Sequence, residues 1–156
     1  MNAENYLKLV QFYQDYAAAV DQEDWDAWLN MFTDDAKYKV QSRENYDRDL
    51  PMAVLNMYSK NMLKDRVYGM TETIFHEPYH QCHVVASPRV ISASGGEIEA
   101  QANYSVFRTK TDGIAEVYNV GRYIDRIQVT DQGFKLASRL CVFDNEMVLN
   151  SMIYPI

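Results

Sequence analysis

The three histidines of the chain fall close together, at His76, His80 and His83. His76-Glu77-Pro78-Tyr79-His80 has the H-E-x-x-H spacing with which zinc proteases set two imidazoles and a general base around one metal. That chemistry needs a helix, so that residues four apart share a face. Pro78 lacks the backbone N–H and clashes with the preceding turn, and it pushes Glu77 out of the helical region. The run therefore reads as a helix-to-strand connection with polar side chains at a surface or interface. Cys82-His83 fails as half of a Rieske site, which takes two Cys and two His in paired short spacings, and Cys141 has no His near it. Both thiols are expected to pack as small buried hydrophobes. No spacing supports an iron triad of two His and one carboxylate. There is no G-x-S-x-G elbow for acyl transfer, and Gly95-Gly96 reads as a hairpin, not a phosphate loop. Asp34, Asp35 and Tyr38, near a strand start, could serve as acid or base in a cone-shaped pocket. Asp34 and Asp35 are read more simply as a helix C-terminal turn, with Tyr38 on a half-buried strand.

The elements that must carry these residues follow from periodicity. Tyr6, Leu9, Val10, Tyr13, Tyr16, Ala17 and Val20 recur at three- and four-residue steps and predict an amphipathic helix. Asp24 is a candidate N-cap for a second helix bearing Trp25, Trp28, Leu29 and Phe32, ending near Thr33-Asp34-Asp35. Tyr38 and Val40 alternate with lysines as in a strand. Arg43 to Leu50 reads as a polar loop, and Ala53 to Tyr58 as a short strand. Ser59 caps a third helix through Met62, Leu63, Arg66, Val67 and Met70. After Pro78 the chain turns to long strands, Tyr79 to Ile91, Glu97 to Thr109, Ile114 to Val129 and Phe134 to Asp144. Gly95-Gly96, Asp112-Gly113 and Asp131-Gln132-Gly133 separate them. Strands this long must twist through bulges, and Pro88 implies an edge or a bulge in the first. Met147 to Ile153 predicts one more strand. Helices first and an antiparallel meander after them is an α+β pattern, with a curved antiparallel sheet wrapped around the N-terminal helices.

The chain has 156 residues, enough for one domain over 1–156 with a real core. A formal charge of −7 argues against nucleic acid or an anionic membrane as the main partner. No apolar run approaches the roughly 20 residues that span a bilayer. The polar, acidic start is unlike a secretory signal, and two cysteines make no disulfide framework. A cytoplasmic location is the expectation. Twelve tyrosines and eight methionines suggest large adaptable contact surfaces.

A series of residue patterns in order is similar to one family. Trp28-x-x-x-Phe32-Thr33-Asp34-Asp35-x-x-Tyr38 resembles the W-x-x-x-F-T-x-D-x-x-Y stretch of the small subunits of Rieske-type aromatic-ring-hydroxylating oxygenases. Ser42-Arg43-Glu44-Asn45-Tyr46-Asp47-Arg48 with Leu50-Pro51, then Met62-Leu63-x-Asp65-Arg66-Val67, follow at the family's places. Gly121-Arg122-Tyr123-x-Asp125 and Leu136-x-x-Arg139-x-x-x-x-Asp144 complete the set. In the family's P-x-R-x-R-H run Pro78 and His83 are kept, but His80 and Cys82 stand where arginines are common. The S-R-E-N stretch and short tail are most similar to small subunits acting on aromatic acids, such as those of salicylate hydroxylase or terephthalate dioxygenase.

The resemblance implies the cone fold of nuclear transport factor and ketosteroid isomerase. It implies a structural role in the breakdown of aromatic compounds, with no catalytic, metal or cofactor residue on this chain. The partner would be a large oxygenase subunit in a hexamer of three large and three small subunits. That subunit would hold the Rieske [2Fe-2S] cluster and the mononuclear iron, and NAD(P)H would act through a separate reductase. The candidate interface residues are Arg43, Glu44, Asn45, Arg66, His80, Arg122, Arg139, Tyr154 and Ile156. Tyr154 and Ile156 are included because the apolar, uncharged tail would expose a contiguous patch unless it docked on another subunit. The rival expectation is a free-standing isomerase, dehydratase or cyclase using Asp35, Tyr38, His80 or His83.

Overall fold

The computed structural model describes residues 1–148 and 151–156. Helix α1 runs Ala3–Asp21, with the Asn2 side chain accepting from the Asn5 N–H at its start. Of its predicted face Leu9, Tyr13, Tyr16, Ala17 and Val20 are buried and Tyr6 and Val10 are half-buried, and Phe12 joins the buried set. Asp24 caps α2 (Trp25–Asn30) by accepting from Ala27 N–H at 3.0 Å. This helix stops before Thr33-Asp34-Asp35, the end expected from the sequence. Phe32 already starts β1 (Phe32–Ser42), because its ring is needed in the core opposite Leu136.

The stretch from Arg43 was expected to be a loop and instead forms α3 (Arg43–Asp47). Ser42 accepts from Asn45 N–H and supplies the cap. The following turn is held by buried Gln41, which donates to the carbonyls of Leu50 and Met52. Strand β2 is Leu55–Met57, and α4 (Lys60–Tyr68) begins behind the Ser59 cap and ends in a π-helical turn, Gly69–Thr73.

The predicted strand Tyr79 to Ile91 is two strands, β3 (Tyr79–Val85) and β4 (Arg89–Ser94). Pro88, without a donor, sits in the break. Strands β5 (Glu97–Lys110), β6 (Glu116–Thr130) and β7 (Gly133–Phe143) form the expected meander. Each pairing in it carries a register shift, at Val106/Phe107 and at Arg126/Ile127, as such long strands require. No strand is present at residues 147, 148 or 151–153; Leu149 and Asn150, also in that predicted strand, lie outside the described residues.

The sheet order is β2-β1-β7-β6-β5-β3, with β4 extending the edge on β5. It is mixed and not antiparallel throughout, because β1 and β7 run parallel. The helices between β1 and the meander carry the chain round, so β7 arrives beside β1 in the same direction. The helices close the concave face, and one hydrophobic cluster lies between them and the sheet. This is the cone fold. Trp28 centres the cluster, edge-on to Phe32 at 5.0 Å and to Tyr38 at 5.8 Å.

The glycine of Gly121-Arg122-Tyr123 is required by space. A Cβ there would lie 2.2 Å from the Val142 carbonyl oxygen and 2.9 Å from the Tyr104 hydroxyl. The backbone of β7 cannot move away without breaking the ladder. Gly121→Ala is expected to cost about 1–3 kcal/mol by overpacking, read as a lower urea midpoint at unchanged slope. An unaltered midpoint would show that β6 and β7 yield here.

Candidate functional site

The inward-facing positions of β6 and β7 bring two charges into the core. Asp125 and Arg139 are directly opposite in register, and both side chains are fully buried. Arg139 donates from Nε to Asp125 Oδ1 at 3.0 Å and from Nη2 to Oδ2 at 2.8 Å. Tyr13 on α1 donates to the same carboxylate at 2.5 Å. The guanidinium is sandwiched by rings, 3.9 Å from the Tyr16 centroid and 4.0 Å from that of Tyr123. A bidentate pair with stacked faces is the geometry that makes a buried charge tolerable.

Next to this pair lies the tail. Tyr118 OH donates to the Ser151 carbonyl, and Arg66 Nη2 donates to those of Met152 and Ile153. Tyr16 OH and Tyr38 OH both donate to the main-chain oxygen of Ile156, at 2.8 and 2.9 Å. Ile156 N–H donates in turn to the Tyr38 oxygen. The Tyr154 ring packs 5.3 Å from Trp25 and 5.1 Å from Tyr79. Ile156 is 0% exposed. The interior of the cone is therefore filled by the chain's own residues.

Burial, before any neighbouring charge, holds the tyrosines in their neutral form. Tyr16 is pushed up to about 12, and Tyr38 and Tyr123 lie well above the ordinary tyrosine value. None of them is poised as a base near neutral pH. The four acid–base candidates are also not brought together. Asp35 is exposed and accepts from the Thr33 hydroxyl, whereas Tyr38 points into the core. His80 is exposed, on the face of β3 opposite to His83. His83 is buried, with Nδ1 and its backbone N–H both on the Asp21 carboxylate, at 2.5 and 2.8 Å. His76, on the connection before β3, packs tilted against Tyr79 and edge-on against Tyr154.

Iron groups do not fit this set. The three imidazoles have three different surroundings, Cys141 lies in the core, and Cys82 faces outward. Among the described residues no group of three or more His, Cys, Asp or Glu could hold a metal ion. Cys82 was expected to be buried. It is exposed because β3 alternates and the inward positions are taken by Tyr79, Gln81 and His83. Burial pushes the Cys141 thiol up to about 12. In the folded chain one thiol, that of Cys82, is expected to react with a disulfide reagent at pH 8, and two after denaturation. Two fast thiols in the folded state would place Cys141 outside the core.

Three of the proposed interface residues must be corrected. Arg139 is committed to Asp125 inside the core, and Tyr154 and Ile156 are buried by their own chain, which removes the exposed patch that argued for docking elsewhere. Arg66 is half-buried and holds the tail. Arg43 pairs with Asp144 at 2.8 Å and Glu44 with Arg48 at 2.8 Å, both exposed. Asn45 Nδ2 donates to the Met52 carbonyl, and Arg122 lies over the Tyr46 ring. Asp125, Tyr13, Asp21 and Tyr16 were missed as partners. A charge at an inward position of an alternating strand was the available sign, because such a charge is kept only with a partner.

The family model for the ring hydroxylating beta subunit matches residues 16–150. The small subunit of anthranilate 1,2-dioxygenase from Burkholderia cepacia is 26% identical, over 97% of this chain and 94% of its own length. A beta subunit of the terephthalate 1,2-dioxygenase terminal oxygenase component from a Comamonas species is also 26% identical, over 97% and 99%. Among solved structures, a chain described as the beta subunit of an aromatic-ring-hydroxylating dioxygenase from Novosphingobium aromaticivorans superposes with a TM-score of 0.85 at 32% identity, covering 94% of this chain and 93% of that one. No helix of the described residues is long and apolar enough to cross a membrane. With the patterns from Trp28 to Asp144 falling inside the matched span, the chain belongs to the ring hydroxylating beta subunit family.

Proposed function

We propose that this chain is a single-domain, non-catalytic small subunit of an aromatic-ring-hydroxylating oxygenase that holds a large catalytic subunit in an assembly of three large and three small subunits. The large subunit carries the Rieske [2Fe-2S] cluster and the mononuclear iron, and a separate reductase delivers electrons from NAD(P)H. The complex is cytoplasmic and acts on an aromatic acid, in line with the names of the anthranilate and terephthalate relatives. The observation that carries the structural role is the filled cone. The space where an enzyme of this fold needs a pocket is occupied by Tyr154 and Ile156 of the chain itself.

Contact with the large subunit is assigned to the members of the interface set that reach the surface: exposed Arg43 and Glu44 with half-buried Asn45 on α3, half-buried Arg122 beside them, and exposed His80 on the outer face of β3. Near α3 the exposed Leu50 and Met52 sit on a turn that Gln41 and Asn45 hold in shape, which suits a preformed contact.

Co-expression with the large subunit encoded by the same host is the test. The two chains are expected to co-elute, and turnover of an aromatic acid is expected only with both chains and the reductase. Ring turnover by the large subunit alone at the rate of the complex would overturn the role. So would acid–base activity of the isolated small chain on a cyclic substrate.

A further inference from the structure

We propose that the cleft between Glu23 and residues 74–80 is a socket for an arginine side chain of the large subunit. The inference rests on the subunit reading and deepens it, by naming a further contact and the chemistry of what fills it.

The first observation is an open cleft, separate from the filled interior. It has a volume of about 650 Å³ and lies between Glu23, the π-helical turn and the connection into β3. Part of its wall is built from rings. His76, Tyr79 and Tyr154 pack on one another with centroids 5.5, 5.4 and 5.1 Å apart. Tyr154 packs in turn on Trp25. The rings hold each other in place, so the cleft keeps its shape without an occupant.

The second observation is an unpaired charge. Glu23 is exposed and lines the same cleft. Among the described residues it has no ion-pair partner. Lys110, the cation of the wall, is already paired with Glu77 at 2.8 Å. The other titratable groups facing the cleft are the imidazoles of His76 and His80 and the phenols of Tyr79 and Tyr154. Burial, with the Glu23 charge adding to it, raises Tyr79 and pushes Tyr154 up to about 12, so the carboxylate stands close to both rings. A carboxylate beside aromatic rings suits a cation. A planar guanidinium can pair with the one and stack on the other.

The third observation is Phe75. Its ring lines the cleft and is fully exposed, with Ile74 beside it also exposed. A free cation would leave that ring in water. An arginine carried on a protein surface brings neighbours that cover it, and arginine and large aromatics are the residues that dominate such contacts. His80, already assigned to the contact with the large subunit, lines the same cleft, which makes the socket continuous with that contact.

The test measures the affinity of this chain for the large subunit at low and high salt. Glu23→Gln and Phe75→Ala are each expected to weaken the complex by roughly tenfold. The thermal midpoint of the isolated chain is expected to stay the same for both, because both side chains are exposed. Glu23→Gln is also expected to flatten the salt dependence of the affinity, since it removes one charge pair, and Phe75→Ala is expected to keep it. If both variants bind as the parent chain does, the socket is overturned and the subunit reading stands. If Phe75→Ala alone weakens the complex, with affinity and salt dependence unaltered by Glu23→Gln, the cationic occupant is overturned. If the parent chain forms no complex at all, the subunit reading fails and the socket with it.

Discussion

Asp125→Ala is expected to lower the unfolding free energy by about 3–5 kcal/mol, the usual cost of removing one partner of a buried ion pair. The guanidinium of Arg139 would stay in the core between Tyr16 and Tyr123 with its acceptor gone. The Tyr13 hydroxyl would lose its acceptor at the same time. Water cannot replace the carboxylate cheaply, because both side chains are fully buried. Most of the cost therefore comes from the charge left behind, not from the attraction lost. A second change tests that division. Arg139→Met in the Asp125→Ala background is expected to recover a large part of the loss, since an apolar chain of similar length needs no partner. Urea unfolding followed by circular dichroism measures all the variants. A single variant within about 1 kcal/mol of the parent would mean that the core admits water or relaxes around Arg139.

Removing Tyr154, Pro155 and Ile156 is expected to destabilise the folded chain itself, by on the order of 5 kcal/mol. Tyr154 and Ile156 each bury a large side chain, worth roughly 1.5–3 kcal/mol by transfer. The hydroxyls of Tyr16 and Tyr38 would also lose their acceptor inside the core, at about 1 kcal/mol or more for each group left unpaired. The expected result is a lower unfolding midpoint in the isolated small chain, seen without any partner present. If the isolated chain kept its midpoint and only the assembly with the large subunit weakened, the tail would lie at an interface after all.

The two halves of the chain were not equally legible. Helix α1 and the three long strands of the meander follow from periodicity and turn residues because their neighbours in sequence are also their neighbours in space. The caps at Asp24 and Ser59 are local chemistry and were readable for the same reason. Ser42 was readable too, but the polar run behind it read as a loop; its bond to Asn45 N–H makes it a helix start. The parallel pairing of β1 with β7 was not readable, since nothing in either strand's alternation specifies direction. The position of the tail was misread for a related reason. An uncharged, apolar end needs cover, and the sequence does not say whether the cover is a partner or the interior of its own cone. At the site, rejecting the H-E-x-x-H look-alike on Pro78 agrees with the separate surroundings of His76 and His80. The bond between His83 and Asp21 was not readable, because the two lie 62 positions apart.

The pairing of β1 with β7 also bears on how fast the molecule can form. Strands β5, β6 and β7 are joined by tight turns and can zip from one to the next. Strand β1 must find β7 across about a hundred intervening residues, a loop whose closure entropy is met before any ladder bond repays it. Helix α2 precedes β1 and packs on it, so its docking waits on that search. Until β1 arrives, β7 presents an unpaired edge, and the inward rings of the meander face solvent. The interval is the one in which this chain is most open to pairing with the wrong strand.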